Sequence, residues 1–146
     1  MRLWHEALIP YLPRQQLLGQ HRECCALRGN GWGKKHATVD YVFTHPYGWL
    51  VAYHIMVMRE MEKRGYHPDP CWKDVRYHGK RHPVSRGYRK TAWAEVWALV
   101  EYTKESGDPI YPEHDAAYLQ ECLDNLAGKG IHIDMGVKKC REKWKK

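Results

Sequence analysis

Cys71, His78 and His82 fall in one ligand-rich stretch, and thiolate and imidazole are the side chains that hold borderline metals such as zinc. Their spacing matches no familiar zinc module, and a free cysteine also serves as a small buried hydrophobe. The chain has five cysteines, an odd number, with Cys24 and Cys25 adjacent. That arrangement suits neither a disulfide framework nor a CxxC pattern, so the cysteines are read as reduced and mostly structural, and no metal or other cofactor is expected. His114 and Asp115 offer a second possible chemistry, metal-dependent cleavage of a phosphodiester. The same pair sits where a helix start calls for a polar cap. A third candidate is the glycine-rich run Gly29-Asn30-Gly31-Trp32-Gly33, which leads into Lys34, Lys35 and His36. It lacks the GxxxxGK[ST] pattern of a nucleotide-binding loop and is read as a turn that carries two lysines.

Charge narrows the choice of partner. Lys and Arg number 24 against 17 Asp and Glu, a formal net charge of +7. Basic side chains that neutralise phosphates release condensed counterions, so a polyanion is the natural ligand, with a merely soluble basic protein as the bland alternative. Between Lys73 and Lys90 seven basic residues face one acid, with Tyr77 and Tyr88 interleaved. Such a loop can grip a backbone and stack on bases, or it can be a solvated insertion. No apolar stretch is long enough to span a membrane, and Met1-Arg2-Leu3-Trp4-His5-Glu6 does not read as a secretory signal. A cytoplasmic location is expected.

The elements that would position these groups are helical. A helix is predicted from near Pro13 to about Arg28, with Leu17, Leu18, His21, Cys24 and Cys25 as its apolar face. Gln15, Gln16, Gly19, Arg22, Glu23 and Ala26 lie opposite. That small, polar face would let a ligand backbone come close, or is simply solvated. Residues 37–64 read as two helical pieces broken near His45-Pro46, the second a core helix stopped by Gly65. Two more helices are predicted over about Thr91 to Lys104 and from Pro112 to Gly128, followed by a basic tail from Lys138 to Lys146. The expectation is an all-α fold, a single compact helical domain over residues 1–146 with long basic loops.

The run Leu12-Pro13-Arg14-Gln15-Gln16-Leu17-Leu18-Gly19-Gln20-His21-Arg22-Glu23 resembles the helix that carries the catalytic glutamate in the pyrimidine-dimer DNA glycosylases of the phage endonuclease V type. The likeness continues through the His36 segment, Tyr41-Val42-Phe43 and Glu62-Lys63-Arg64-Gly65-Tyr66, with a weaker echo at Ile110-Tyr111-Pro112-Glu113-His114. It implies a metal-independent DNA glycosylase with abasic-site lyase activity on double-stranded DNA containing damage, with no obligatory protein partner. In such enzymes the amine of the N-terminus attacks C1′ of the damaged nucleotide. An imine forms and β-elimination follows. An α-amine titrates near 8 and a lysine near 10.4, so about a tenth of the former is nucleophilic at neutral pH.

On this likeness Met1 supplies the amine, because the bulky Arg2 should block removal of the methionine, and Glu23 shuttles protons around the sugar. Arg2 and Arg22 match phosphate-holding positions. Arg14, Gln15, Lys34, Lys35 and His36 are expected along the DNA groove. Such an enzyme must bend the duplex and displace a nucleotide to reach C1′. Two positions depart from the phage pattern: Ala26 stands where an arginine is found there, and Gln16 where a histidine is. The alternative is a non-catalytic DNA-binding protein on the same scaffold.

Overall fold

The computed structural model describes residues 2–29, 39–75, 77 and 90–135, with side chains from residue 94 onward in the last stretch. Four α-helices run in chain order among these residues: α1 (Arg14–Arg28), α2 (Tyr47–Lys63), α3 (Lys90–Ser106) and α4 (Ala116–Gly128). Short 3₁₀ segments at Glu6–Tyr11, Asp40–Thr44 and Pro70–Lys73 join or precede them. No strand occurs among the described residues, so the fold is all-α as expected.

α2 is the centre. Tyr47, Leu50, Val51, Ala52, Tyr53, His54, Ile55, Val57, Met58 and Met61 are all buried, which leaves little of its circumference to water. A helix apolar on nearly every side has to be enclosed by neighbours, and α1 and α3 pack on it. Gly48 allows the close approach of α3, since a Cβ there would sit 3.1 Å from Val96 Cγ2. Gly65 ends α2 at φ +91°, where Tyr66 N–H donates to Met61 O at 2.9 Å and Gly65 N–H to Glu62 O at 3.0 Å. α4 closes the same way on Gly130, at φ +82°. A side chain at either position would strain the left-handed turn.

The expected break near His45-Pro46 is present, but the piece before it is a 3₁₀ turn rather than an α-helix. Before α1, where no element was predicted, Leu3, Trp4, Leu8, Ile9 and Leu12 are buried in the core. The segment is held there by polar groups. Arg64 donates to Leu12 O at 2.6 Å and Pro10 O at 3.0 Å. Glu6, 4% exposed, meets His114 Nδ1 at 2.5 Å and accepts the Ile110 N–H at 2.8 Å, while His114 Nε2 bonds the Tyr41 hydroxyl. His114 is therefore a buried strut, and Asp115 is the N-cap of α4, accepting from Tyr118 N–H at 2.8 Å. The pair holds the fold together and is not set out as a nuclease centre.

The buried stripe of α1 is also rotated from the expected one. Leu17 and Cys24 point inward as predicted, but Gln20, Leu27 and Arg28 join them, and Leu18, His21 and Cys25 are only partly covered. The reason is that the core offers polar partners to a glutamine and an arginine, so burial here follows hydrogen bonding as well as hydrophobicity.

Candidate active site

The N-terminal segment lies along α1 and is laced to it by one amide. Gln20, 1% exposed, accepts the Trp4 N–H at 2.7 Å and the Tyr53 hydroxyl at 2.9 Å through Oε1. Its Nε2 donates to Arg2 O at 2.9 Å and to Glu23 Oε2 at 3.1 Å. Glu23 Oε2 also receives the Arg2 backbone N–H at 3.3 Å. Tyr118 adds a further tie by donating to Leu3 O at 2.6 Å. Residues 2–4 and the carboxylate of Glu23 are thus fixed in one frame.

Glu23 is half-buried, and desolvation raises its carboxyl above the ordinary value. The Arg2 N–H, the Lys129 charge and the Gln20 amide act the other way. A carboxylate kept more basic than usual suits proton transfer near neutral pH. Around it the surface is cationic and aromatic. The Arg2 guanidinium lies 5.9 Å from the Trp4 ring and 5.7 Å from the Tyr118 ring, and pairs with Glu121 at 3.1 Å. Lys129 Nζ lies 5.4 Å from the same Trp4 ring.

Of the predicted site residues, Arg2 and Glu23 come together here, and Arg22, next to Glu23 on α1, is exposed. Arg14 and Gln15 are exposed in the first turn of the same helix, roughly 13 Å along its axis from Glu23 at 1.5 Å per residue. The Arg14 guanidinium there lies 5.9 Å from the Tyr66 ring. Met1, Lys34, Lys35 and His36 are outside the described residues, as are His78, His82, most of the basic loop and the basic tail.

Among the described residues one group has the types and proximity of metal ligands: His21, Cys25 and His54, whose donor atoms lie within 4.8 Å of one another. Their hydrogen bonding works against an ion. Arg28 Nη1 stands 2.9 Å from His54 Nδ1, and arginine can only donate, so Nδ1 holds a lone pair and Nε2 the proton. That proton points at His21 Nδ1, 2.8 Å away. The nitrogen a metal would need is already protonated. Burial also pushes the Cys25 thiol up to about 12 and holds His54 well below the ordinary histidine value. The four described cysteines, Cys24, Cys25, Cys71 and Cys122, are free thiols.

A family model described as pyrimidine dimer DNA glycosylase matches residues 1–74. The chain belongs to this family. No match was found among curated proteins or among solved structures. The matched half of the glycosylase contains α1, α2, the extended N-terminal segment and Glu23, so the site geometry and the family assignment fall on the same residues. Its activity is DNA repair, and damaged DNA is its substrate. Among the described residues no helix is long and apolar enough to cross a membrane.

The fold also brings to this site residues that the sequence did not single out. Gln20 and Tyr53 hold the site together, and Tyr118, Lys129 and Glu121 reach it from beyond the matched half. Gln20 had one signal, its place three residues before Glu23 on a neighbouring helical turn. The residues from α4 had none, because only the tertiary fold brings them near.

Proposed function

We propose that the chain acts as a single-domain DNA glycosylase with abasic-site lyase activity, its N-terminal amine being the nucleophile and Glu23 the proton shuttle. The observation that carries this reading is the Arg2 backbone N–H on Glu23 Oε2 at 3.3 Å. On this reading the nucleophilic amine is that of Met1, the residue preceding Arg2 in sequence, and the Arg2 N–H bond is what sets the Glu23 carboxylate against the N-terminal segment.

The neutral amine attacks C1′, the glycosidic bond breaks, and the base departs with the bonding pair and gains a proton. Opening of the C1′–O4′ bond leaves a hydroxyl and an iminium at C1′. Glu23 then takes a proton from C2′, the electron pair forms a double bond, and the C3′–O3′ bond breaks with the phosphate as leaving group. Water hydrolyses the imine and returns the amine. The ionised carboxylate stabilises the iminium charge, and its raised basicity favours the C2′ step. Arg2, Arg22, Arg14, Gln15, Lys34, Lys35 and His36 hold the DNA. The chemistry needs no metal.

Borohydride reduces an imine to a stable amine, so incubation with a duplex carrying one abasic site should trap an adduct on the N-terminal amine, located by mass spectrometry. Glu23→Gln should lower trapping by about 10² to 10⁴ while leaving DNA affinity intact. An adduct on a lysine would move the nucleophile. Binding without any adduct would favour the non-catalytic reading.

A further inference from the structure

We infer that Gln20 is the positioning residue of this reaction, the single side chain that sets the N-terminal segment and the Glu23 carboxylate in register. The inference rests on the lyase chemistry proposed above. A glutamine amide has two acceptor lone pairs and two donor hydrogens, and at Gln20 three meet a partner of their own while the fourth shares the Tyr53 hydroxyl proton with Trp4 O. Trp4 N–H and the Tyr53 hydroxyl fill the acceptors; Arg2 O and Glu23 Oε2 take the donors.

The partners also fix which end is which. Flipping the amide would turn its NH₂ toward the Trp4 N–H and its oxygen toward a carbonyl and a carboxylate. The single hydroxyl proton of Tyr53, in the buried core of α2, is shared between Trp4 O at 2.5 Å and Gln20 Oε1 at 2.9 Å, so one side chain braces both. The frame is therefore rigid. Both the Gln20 and the Arg2 bonds to Glu23 fall on Oε2, which orients the carboxylate and leaves Oε1 for proton transfer.

No other residue type meets these demands. Asparagine is one methylene short, and methionine offers neither end. Glutamate keeps the shape and both acceptor contacts but sets a carboxylate against Glu23 and a carbonyl. Gln20→Glu is therefore the informative change: it retains the tie to Trp4 and Tyr53 while losing the two donors that reach Arg2 and Glu23.

The test is single-turnover borohydride trapping on an abasic duplex, followed across pH for the wild type and Gln20→Glu. Trapping at neutral pH should fall about 100-fold, the scale of a 1 Å misplacement. Duplex affinity should stay within about threefold, since Gln20 is buried away from DNA. The acid limb of the rate profile should move to higher pH, because a donor on Glu23 is replaced by a negative charge. A folded variant with the wild-type rate and profile overturns the inference while leaving the lyase reading in place. A wild type that traps nothing removes that reading and this inference together. If Gln20→Glu does not fold, Tyr53→Phe loosens the same amide from behind: a severalfold loss of trapping at unchanged duplex affinity supports the role, and an unchanged rate overturns it.

Discussion

Two buried polar networks hang from α1 about two turns apart, and they have been finished differently. At the Gln20 network a half-buried carboxylate keeps one oxygen outside the bonds that orient it. At the Arg28 network the guanidinium, 0% exposed, donates to Tyr47 Oη at 3.2 Å, His54 Nδ1 at 2.9 Å, Trp72 O at 2.5 Å, Asp74 O at 2.8 Å and Tyr77 O at 3.1 Å. All its N–H groups are in use, and the histidines behind it are locked into one tautomer. On the proposed reading the first arrangement holds a reactive group in readiness; the second closes the end of α1 onto Trp72, Asp74 and Tyr77. A polar residue in a core marks chemistry only where some valence is left over.

The contrast can be broken most directly at Arg28. Arg28→Met should destabilise the fold by roughly 3 kcal/mol or more, because several buried acceptors lose their donor at once. A urea midpoint that implies less than about 1 kcal/mol would mean the network is not what joins α1 to that segment.

Acid should act with opposite sign on the buried histidines, His54 of the Arg28 network and His5 beside His114, and on Glu23. Burial holds His5 down at about 4 and His54 well below its ordinary value, so both are neutral when folded and take up protons on unfolding. Their contribution is complete above about pH 6.5 and declines as the pH falls toward 4, His5 alone accounting for about 3 kcal/mol. Glu23, raised by burial, goes the other way: its ionised form costs stability, and the cost is relieved as the pH falls through its folded value. Urea melts between pH 8 and 4 should show net loss on acidification, and a flat profile would contradict the buried neutral histidines.

A smaller effect sharpens the same point. Glu23→Gln removes a partly desolvated charge and should raise stability by a few tenths of a kcal/mol while lowering borohydride trapping as predicted above, the usual exchange at a functional group. A clear loss in the melt would mean that the carboxylate serves the fold. The smallest expected effect is none at all. Zinc at about 100 μM should leave the Tm unchanged if Arg28 holds His54 in the wrong tautomer for a metal, whereas a gain near 2.7 kcal/mol, that of a ligand at 100 times its Kd, would show His21, Cys25 and His54 to be ligands.

Much of the architecture was legible beforehand. Apolar spacing, Pro13, Gly65 and the glycines after α4 marked the helices to within a few residues, because these signals act locally through backbone geometry. Glu23, Arg2 and Arg22 were named from the resemblance and lie within the matched residues 1–74. Gln20, Arg28 and His54 were not found as a set. On a helix read alone, a glutamine or an arginine belongs to the solvated face, and nothing local says that a carbonyl or an imidazole awaits it inside.

The sequence by itself determined the helices, the basic charge and the family, since propensity, composition and a contiguous motif are properties of the chain in order. The tertiary structure alone decided which polar groups are buried, which tautomer His54 adopts, and that residues 2–4 lie against Glu23 some twenty positions later. Those outcomes depend on donors and acceptors meeting at about 3 Å across distant parts of the chain, a condition that only the folded packing can satisfy.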